Sequence, residues 1–201
     1  MNNSGPNVVK VVMLGDTSAG KTAVLSRYLH DKFEPDRQST IGMDFFLKEV
    51  PLGNGDHLRL QVWDTAGQER FRQLMPAYIR EASIAIIVFD LTSRASLEGL
   101  RRWILIVQRE RGNYAKIVIV GNKSDLMEKR EVSPAEVEEL LGMIDNPPYV
   151  ETSAKTGENI AQLFDVIISL PIVIDPDQRQ RSRTFQLSTS STKYTSRCGR
   201  C

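Results

Sequence analysis

The sequence predicts an α/β fold: a mostly parallel, doubly wound sheet with one antiparallel strand, covered by helices on both faces. Three observations carry that prediction. Short, near-continuous, β-branched apolar runs recur at VVKVVML (8–14), IAIIVFD (84–90) and KIVIVGN (116–122), the pattern of strands buried in a parallel sheet. Stretches of helical period lie between and after them. Asn54-Gly55, a strong hairpin-turn pair, separates DFFLKEVPL (44–52) from HLRLQVWD (57–64), so these two strands should pair antiparallel.

Along the chain, the strand 8–14 ends at Gly15 and runs into GDTSAGKT (15–22), which opens a helix. FEPDRQSTIG (33–42) fits neither a helical nor a strand period and reads as a loop. After the strand 84–90, Leu97, Leu100, Ile104 and Val107 form an apolar stripe at i, i+3, i+7 and i+10. After the strand 116–122, SPAEVEELL (133–141) starts a helix with Ser133 as N-cap, Pro134 at N1 and Glu136 at N3, a capping box. A short strand precedes SAK (153–155), and Ile160, Leu163, Phe164 and Ile167 form the last stripe. The expected layout is a short arm over 1–7, one folded domain over 8–174 and a disordered tail over 175–201, which has too few large apolar residues to fold.

The net charge of +1 hides an asymmetry: residues 175–201 hold six Lys/Arg and two Asp, and the rest of the chain is slightly acidic. The balance gives no reason to expect nucleic acid as a partner. The two cysteines, Cys198 and Cys201, both lie in the tail, so no disulfide staples the body, which fits a reducing compartment. MNNSGPN lacks the charged and apolar regions of a signal peptide, and the apolar runs are too short to span a membrane.

GDTSAGKT fits the pattern G-x-x-x-x-G-K-[ST] between a strand and a helix. Its glycines let backbone N–H groups turn inward around phosphate oxygens, and the helix N-terminus adds positive potential. The cradle is Asp16, Thr17, Ser18, Ala19, Gly20, Lys21, Thr22 and Ala23. Lys21 can reach the β- and γ-phosphates, and Thr22 offers a hydroxyl to Mg²⁺, a cation that takes oxygen ligands.

NKSD (122–125) follows a strand end, where open α/β sheets bind ligands. A carboxylate at Asp125 can accept from N1–H and the 2-amino group of guanine, whereas adenine would leave it unpaired. Asn122 would tie loops together, Lys123 would lie along the base, and the loop Ser153-Ala154-Lys155 would turn the Ala154 N–H toward the guanine oxygen. In WDTAGQE (63–69), Asp64 can hold Mg²⁺ through water, Gly67 allows close approach to the γ-phosphate, and Gln68 can orient an attacking water. Trp63 also has a plain reading as core.

With these motifs in order, the chain resembles a Ras-superfamily small GTPase over about residues 8–174, and within that superfamily a Rab protein. IGMDF (41–45), LQVWDTAGQERF (60–71) and VFDLT (88–92) resemble Rab segments; PAYIR (76–80), ERG (110–112), KREVS (129–133) and ETSAK (151–155) are most similar to the Golgi-associated subgroup. The resemblance implies a P-loop small G domain with a six-stranded sheet, GTP/GDP and Mg²⁺ as ligands, and hydrolysis assisted by Lys21, Thr40 and Gln68. It implies Mg²⁺ at Thr22, Thr40 and Asp64, the γ-phosphate at Thr40 and Gly67, and Phe33 edge-on to guanine. Effectors would meet Ile41, Phe45, Trp63, Phe71 and Tyr78, though Phe45, Trp63 and Tyr78 also read as core packing.

The implied partners are an exchange factor, a GTPase-activating protein, an escort protein, a GDP-dissociation inhibitor and effectors. The G domain would be monomeric. It would act in vesicle-mediated traffic on the cytoplasmic face of Golgi-related membranes, cycling with the cytosol. The ending RCGRC resembles the prenylated end of Rab proteins, with Cys198 and Cys201 as lipidation sites. Their spacing departs from the usual Rab cysteine pair, and C-x-x-C also has a redox or metal reading.

Arg37 stands where Rab proteins usually carry a tyrosine, three residues before Thr40. That spacing is similar to the arginine finger of heterotrimeric G-protein α subunits; the plainer reading is a solvated loop arginine. Two other functions compete with the hydrolytic switch. A nucleotide kinase would share the phosphate loop, but NKSD and DTAGQ argue against it. A GTP-binding scaffold with negligible hydrolysis would follow if Thr17 disturbs the attacking water.

Overall fold

In the computed structural model, residues 7–35, 40, 42–52, 57–65 and 75–171 are described. The strands are β1 (Asn7–Leu14), β2 (Met43–Pro51), β3 (His57–Thr65), β4 (Ile84–Asp90), β5 (Lys116–Asn122) and β6 (Tyr149–Thr152). The α-helices among the described residues are α1 (Lys21–His30), α2 (Met75–Ile79), α3 (Arg94–Arg111), α4 (Pro134–Gly142) and α5 (Ile160–Ser169). The strands form one sheet in the order β2-β3-β1-β4-β5-β6. Among the described residues, only the β2–β3 pair is antiparallel. The predicted fold class is the one observed.

The sheet is sandwiched because its strands are apolar on both sides. Val9, Val11 and Met13 of β1 face α1 and α5, and Val12 and Leu14 face α2, α3 and α4. All seven residues of β4 are buried, so alternation vanishes there, as expected for a central parallel strand. In α3 the buried set is the predicted stripe plus Trp103 and Arg111. Ile104 is 2% exposed and its neighbour Leu105 is 64% exposed, so helical period rather than residue type decides which isoleucine or leucine enters the core. Ser93 caps α3 by accepting from the Ser96 N–H, and Ser133 and Glu136 form the predicted capping box on α4. α2 has five residues, too few for a periodic stripe, and the sequence pattern did not reveal it.

Register places the chemistry. Met13 pairs with Asp64, Asp90 with Asn122, and Asn122 with Thr152. The carboxyl ends of β1, β3, β4, β5 and β6 therefore lie along one edge of the sheet, where α/β folds hold ligands. Among the described residues, no helix is long and apolar enough to cross a membrane. The Asn54-Gly55 turn and the tail over 175–201 lie outside the described residues.

Candidate functional site

The loop between β1 and α1 is shaped by two close approaches. A Cβ on Gly15 would lie 2.1 Å from the carbonyl oxygen of Val88. Gly20 has φ +94°, and a Cβ there would lie 2.1 Å from Nδ2 of Asn122. Both approaches are open only to glycine. Gly20 is also the N-cap of α1, with no side-chain cap on the helix. The first turn thus presents its N–H groups and the positive end of the helix dipole, a fit for phosphate.

Lys21 is 5% exposed. Its ammonium donates to the carbonyl oxygens of Gly15 at 2.9 Å and Asp16 at 2.8 Å, so it lies along the inside of the loop. Burial pushes its pKa down to about 8, against the opposing pull of Asp64 and Asp16. A buried ammonium at a helix N-terminus is a ready partner for a polyanion.

Beside it, Thr22 Oγ1 lies 2.8 Å from Thr40 Oγ1 and donates to Asp64 Oδ2. Asp64 is fully buried. Two hydroxyls and one carboxylate, from α1, the following loop and the end of β3, thus converge. All three are hard oxygen donors, the donor class Mg²⁺ takes.

Asn122 is the junction of the site. It is 2% exposed, donates to the Ala19 carbonyl at 3.0 Å, and accepts from Thr152 Oγ1 at 3.3 Å and the Ala154 N–H at 3.2 Å. It therefore ties the loop before α1 to the loop after β6, the tying the sequence suggested. The Ala154 N–H, expected to face the base, has Asn122 as its partner here. Asp125 Oδ1 accepts from Ser153 Oγ at 2.6 Å, and its Oδ2 lies 4.0 Å from Lys155 Nζ. Lys123 pairs with Asp90 Oδ2 at 2.5 Å.

Asp16 is turned away from the inside of the loop. Its Oδ1 accepts from Arg102 Nη2 at 2.6 Å and Trp103 Nε1 at 2.9 Å, so the side chain anchors the loop to α3. Only its carbonyl faces Lys21. Thr17 and Ser18 are exposed, and Ala19 is buried. Phe33 is half-buried against the core layer of α1 and α5. Phe45 and Trp63 rings lie 4.8 Å apart, and Trp63 and Tyr78 rings 5.7 Å apart. This trio is partly core, since Trp63 packs on the α3 layer, and partly surface, since Phe45 is 45% exposed. Arg37, Ile41, Gly67, Gln68, Phe71, Cys198 and Cys201 lie outside the described residues.

A model of the Ras family matches residues 10–171, most of the chain. The chain belongs to the Ras family. It is thus a small GTPase, a switch of the class that binds GTP or GDP with Mg²⁺ and works with exchange factors, activating proteins and effectors. The match runs from within β1 to just past α5, so the edge just described lies inside the Ras-family domain.

Sequence reasoning missed three residues that shape this edge. Asp90, Arg102 and Arg27 each hold a loop in place. Arg27 reads from the sequence as a basic residue near a helix C-terminus, favourable to the dipole, and no spacing connects it with a loop more than 120 residues away.

Proposed function

We propose that this small GTPase is of the Rab type and serves vesicle-mediated membrane traffic at or near the Golgi. The observation that carries the nucleotide reading is the convergence of Thr22, Thr40 and Asp64 beside a buried Lys21. The backbone of 16–23 and Lys21 hold the phosphates. The three oxygen donors hold Mg²⁺, which neutralises charge developing on the phosphates when bound. Asp125 and the loop 153–155 read guanine, with Asn122 bracing them and Lys123 lying along the base.

Gly67 and Thr40 sense the γ-phosphate, and Gln68 orients the attacking water. Loss of the γ-phosphate then releases the two loops that carry Thr40 and Gly67, and effectors distinguish the two states. Phe45, Trp63 and Tyr78, with Ile41 and Phe71, form the effector surface; the contacts among the three rings support this reading. The Rab-like segments at 41–45, 60–71 and 88–92 support the subgroup. Cys198 and Cys201 carry prenyl groups, and the tail's arginines and lysine add attraction to an anionic leaflet.

Single-turnover GTP hydrolysis tests the chemistry. Gln68→Leu should slow it by about 100-fold while leaving GDP affinity intact; an equal rate removes the role given to Gln68. In the same assay, an unchanged rate for Arg37→Ala removes Arg37 from the transition state. Localisation of the tagged chain with and without Cys198 and Cys201 tests the membrane assignment, and Golgi staining that survives loss of both cysteines contradicts it.

A further inference from the structure

The guanidinium of Arg27 spans two parts of the site that are distant in sequence. Nε donates to the Ala154 carbonyl at 2.9 Å and one terminal nitrogen to the Lys155 carbonyl at 2.7 Å. The other terminal nitrogen donates to the Asp31 carbonyl at 3.0 Å and its carboxylate at 2.9 Å. Asp31 is the C-cap of α1, in the left-handed region at φ +51°, and lies two residues before Phe33. Arg27 is therefore bonded at once to the loop after β6 and to the start of the segment leading to Thr40.

Within 153–158, Gly157 N–H donates to the Ser153 carbonyl, Thr156 N–H to Ser153 Oγ, and Ser153 N–H to the Glu158 carbonyl; on the inner side the Ala154 N–H donates to Asn122, and Glu158 accepts from Ser124 Oγ. The carbonyls of Ala154 and Lys155 point outward from that turn, and Arg27 supplies their donors. Ser153 in turn donates to Asp125. The orientation of the carboxylate thus depends on a loop whose outer side rests on one arginine. An arginine suits this task because its rigid fork fixes several acceptors relative to one another.

We infer that Arg27 is a positioning residue for base recognition, which couples the segment after α1 to the guanine-reading loop. The inference rests on the guanine-nucleotide reading above. When the segment after α1 is drawn away, Asp31 is drawn with it, Arg27 loses an anchor, and the loop 153–155 loosens. Retention of the base and the position of the segment leading to Thr40 are then linked through one side chain.

The test is Arg27→Met, which keeps the aliphatic stem and removes all donors. It is read by GDP dissociation and by the ratio of affinities for GDP and inosine diphosphate, which lacks the 2-amino group. Expected are a dissociation rate raised about tenfold and a GDP/inosine diphosphate ratio reduced about tenfold, the equivalent of two ordinary hydrogen bonds. Mg²⁺ chelation should still accelerate release, because Thr22, Thr40 and Asp64 keep their contacts, but by a smaller factor than in wild type, because the link from the Thr40 segment to the base is cut. A general loss of stability would leave the base ratio alone. Asp31→Ala should raise dissociation by a smaller factor, about threefold, since the two loop carbonyls keep their donor. If Arg27→Met fails to fold, Arg27→Gln, which keeps one amide NH₂ group, should raise dissociation and lower the base ratio by less than about tenfold, each still measurably away from wild type. A folded Arg27 variant with wild-type dissociation and base ratio overturns the inference. A wild-type chain that does not prefer GDP to ADP overturns the guanine reading itself.

Discussion

Gly99→Ala places two familiar effects in opposition, and the structure decides the sign. Gly99 lies inside α3. Glycine to alanine in a helix interior normally gains about 1 kcal/mol. Here a Cβ would lie 2.3 Å from Oδ2 of Asp16, so the Asp16 carboxylate must move. That carboxylate holds Arg102 and Trp103. The Arg102 pair is partly exposed and is worth about 0–1 kcal/mol. Trp103 is 1% exposed, and stranding its indole N–H costs about 1–3 kcal/mol. The loss outweighs the helix gain, for a net destabilisation of about 1–2 kcal/mol, or about 2–8 °C in Tm. Urea unfolding at fixed nucleotide and Mg²⁺ concentration measures it. In the Asp16→Ala background the obstacle is gone, and the same Gly99→Ala should stabilise by about 1 kcal/mol. Stabilisation in both backgrounds would refute the reasoning.

Gly20→Ala combines a left-handed alanine, about 1–2 kcal/mol, with displacement of Asn122, whose bonds join three segments. Titration with a fluorescent GDP analogue should show affinity weakened by about 100-fold or more in a chain that still folds by circular dichroism; near-normal affinity would contradict the bracing role of Asn122. Glu151 is bidentate with Arg130 at 2.7 and 2.8 Å and also accepts from the Tyr149 hydroxyl. The Arg130 hydrogen bonds hold its carboxyl below the usual range. A depressed carboxylate stabilises the fold at neutral pH, and that contribution is lost as pH falls from about 4.5 through its folded value. Glu151→Gln should therefore cost about 1 kcal/mol at pH 7 and flatten the acid limb of the stability curve; an unchanged acid limb would remove Glu151 from it.

The sequence by itself determined the layers and the motifs. Apolar β-branched runs identified β1, β4 and β5, and the stripes at 97–107 and 160–167 marked the buried faces of α3 and α5, because burial follows backbone period wherever one face meets a core. The Ser133–Glu136 capping box was legible because its partners lie within one helical turn. The phosphate loop and the base-reading residues were legible as types at fixed spacings along the chain.

Only the tertiary structure decided which side chains turn toward the site. Asp16 lies inside the phosphate motif, yet its carboxylate serves α3, because Arg102 and Trp103 sit across from it. Arg27 looks like an ordinary helix-end cation, yet it grips two carbonyls after β6. Asn122 meets Ala19 and Ala154 because the register of β1, β4, β5 and β6 brings their carboxyl ends level. Local patterns carry local physics; hydrogen bonds between segments 32 to 128 residues apart depend on where the sheet sets their ends, and no spacing along the chain encodes that.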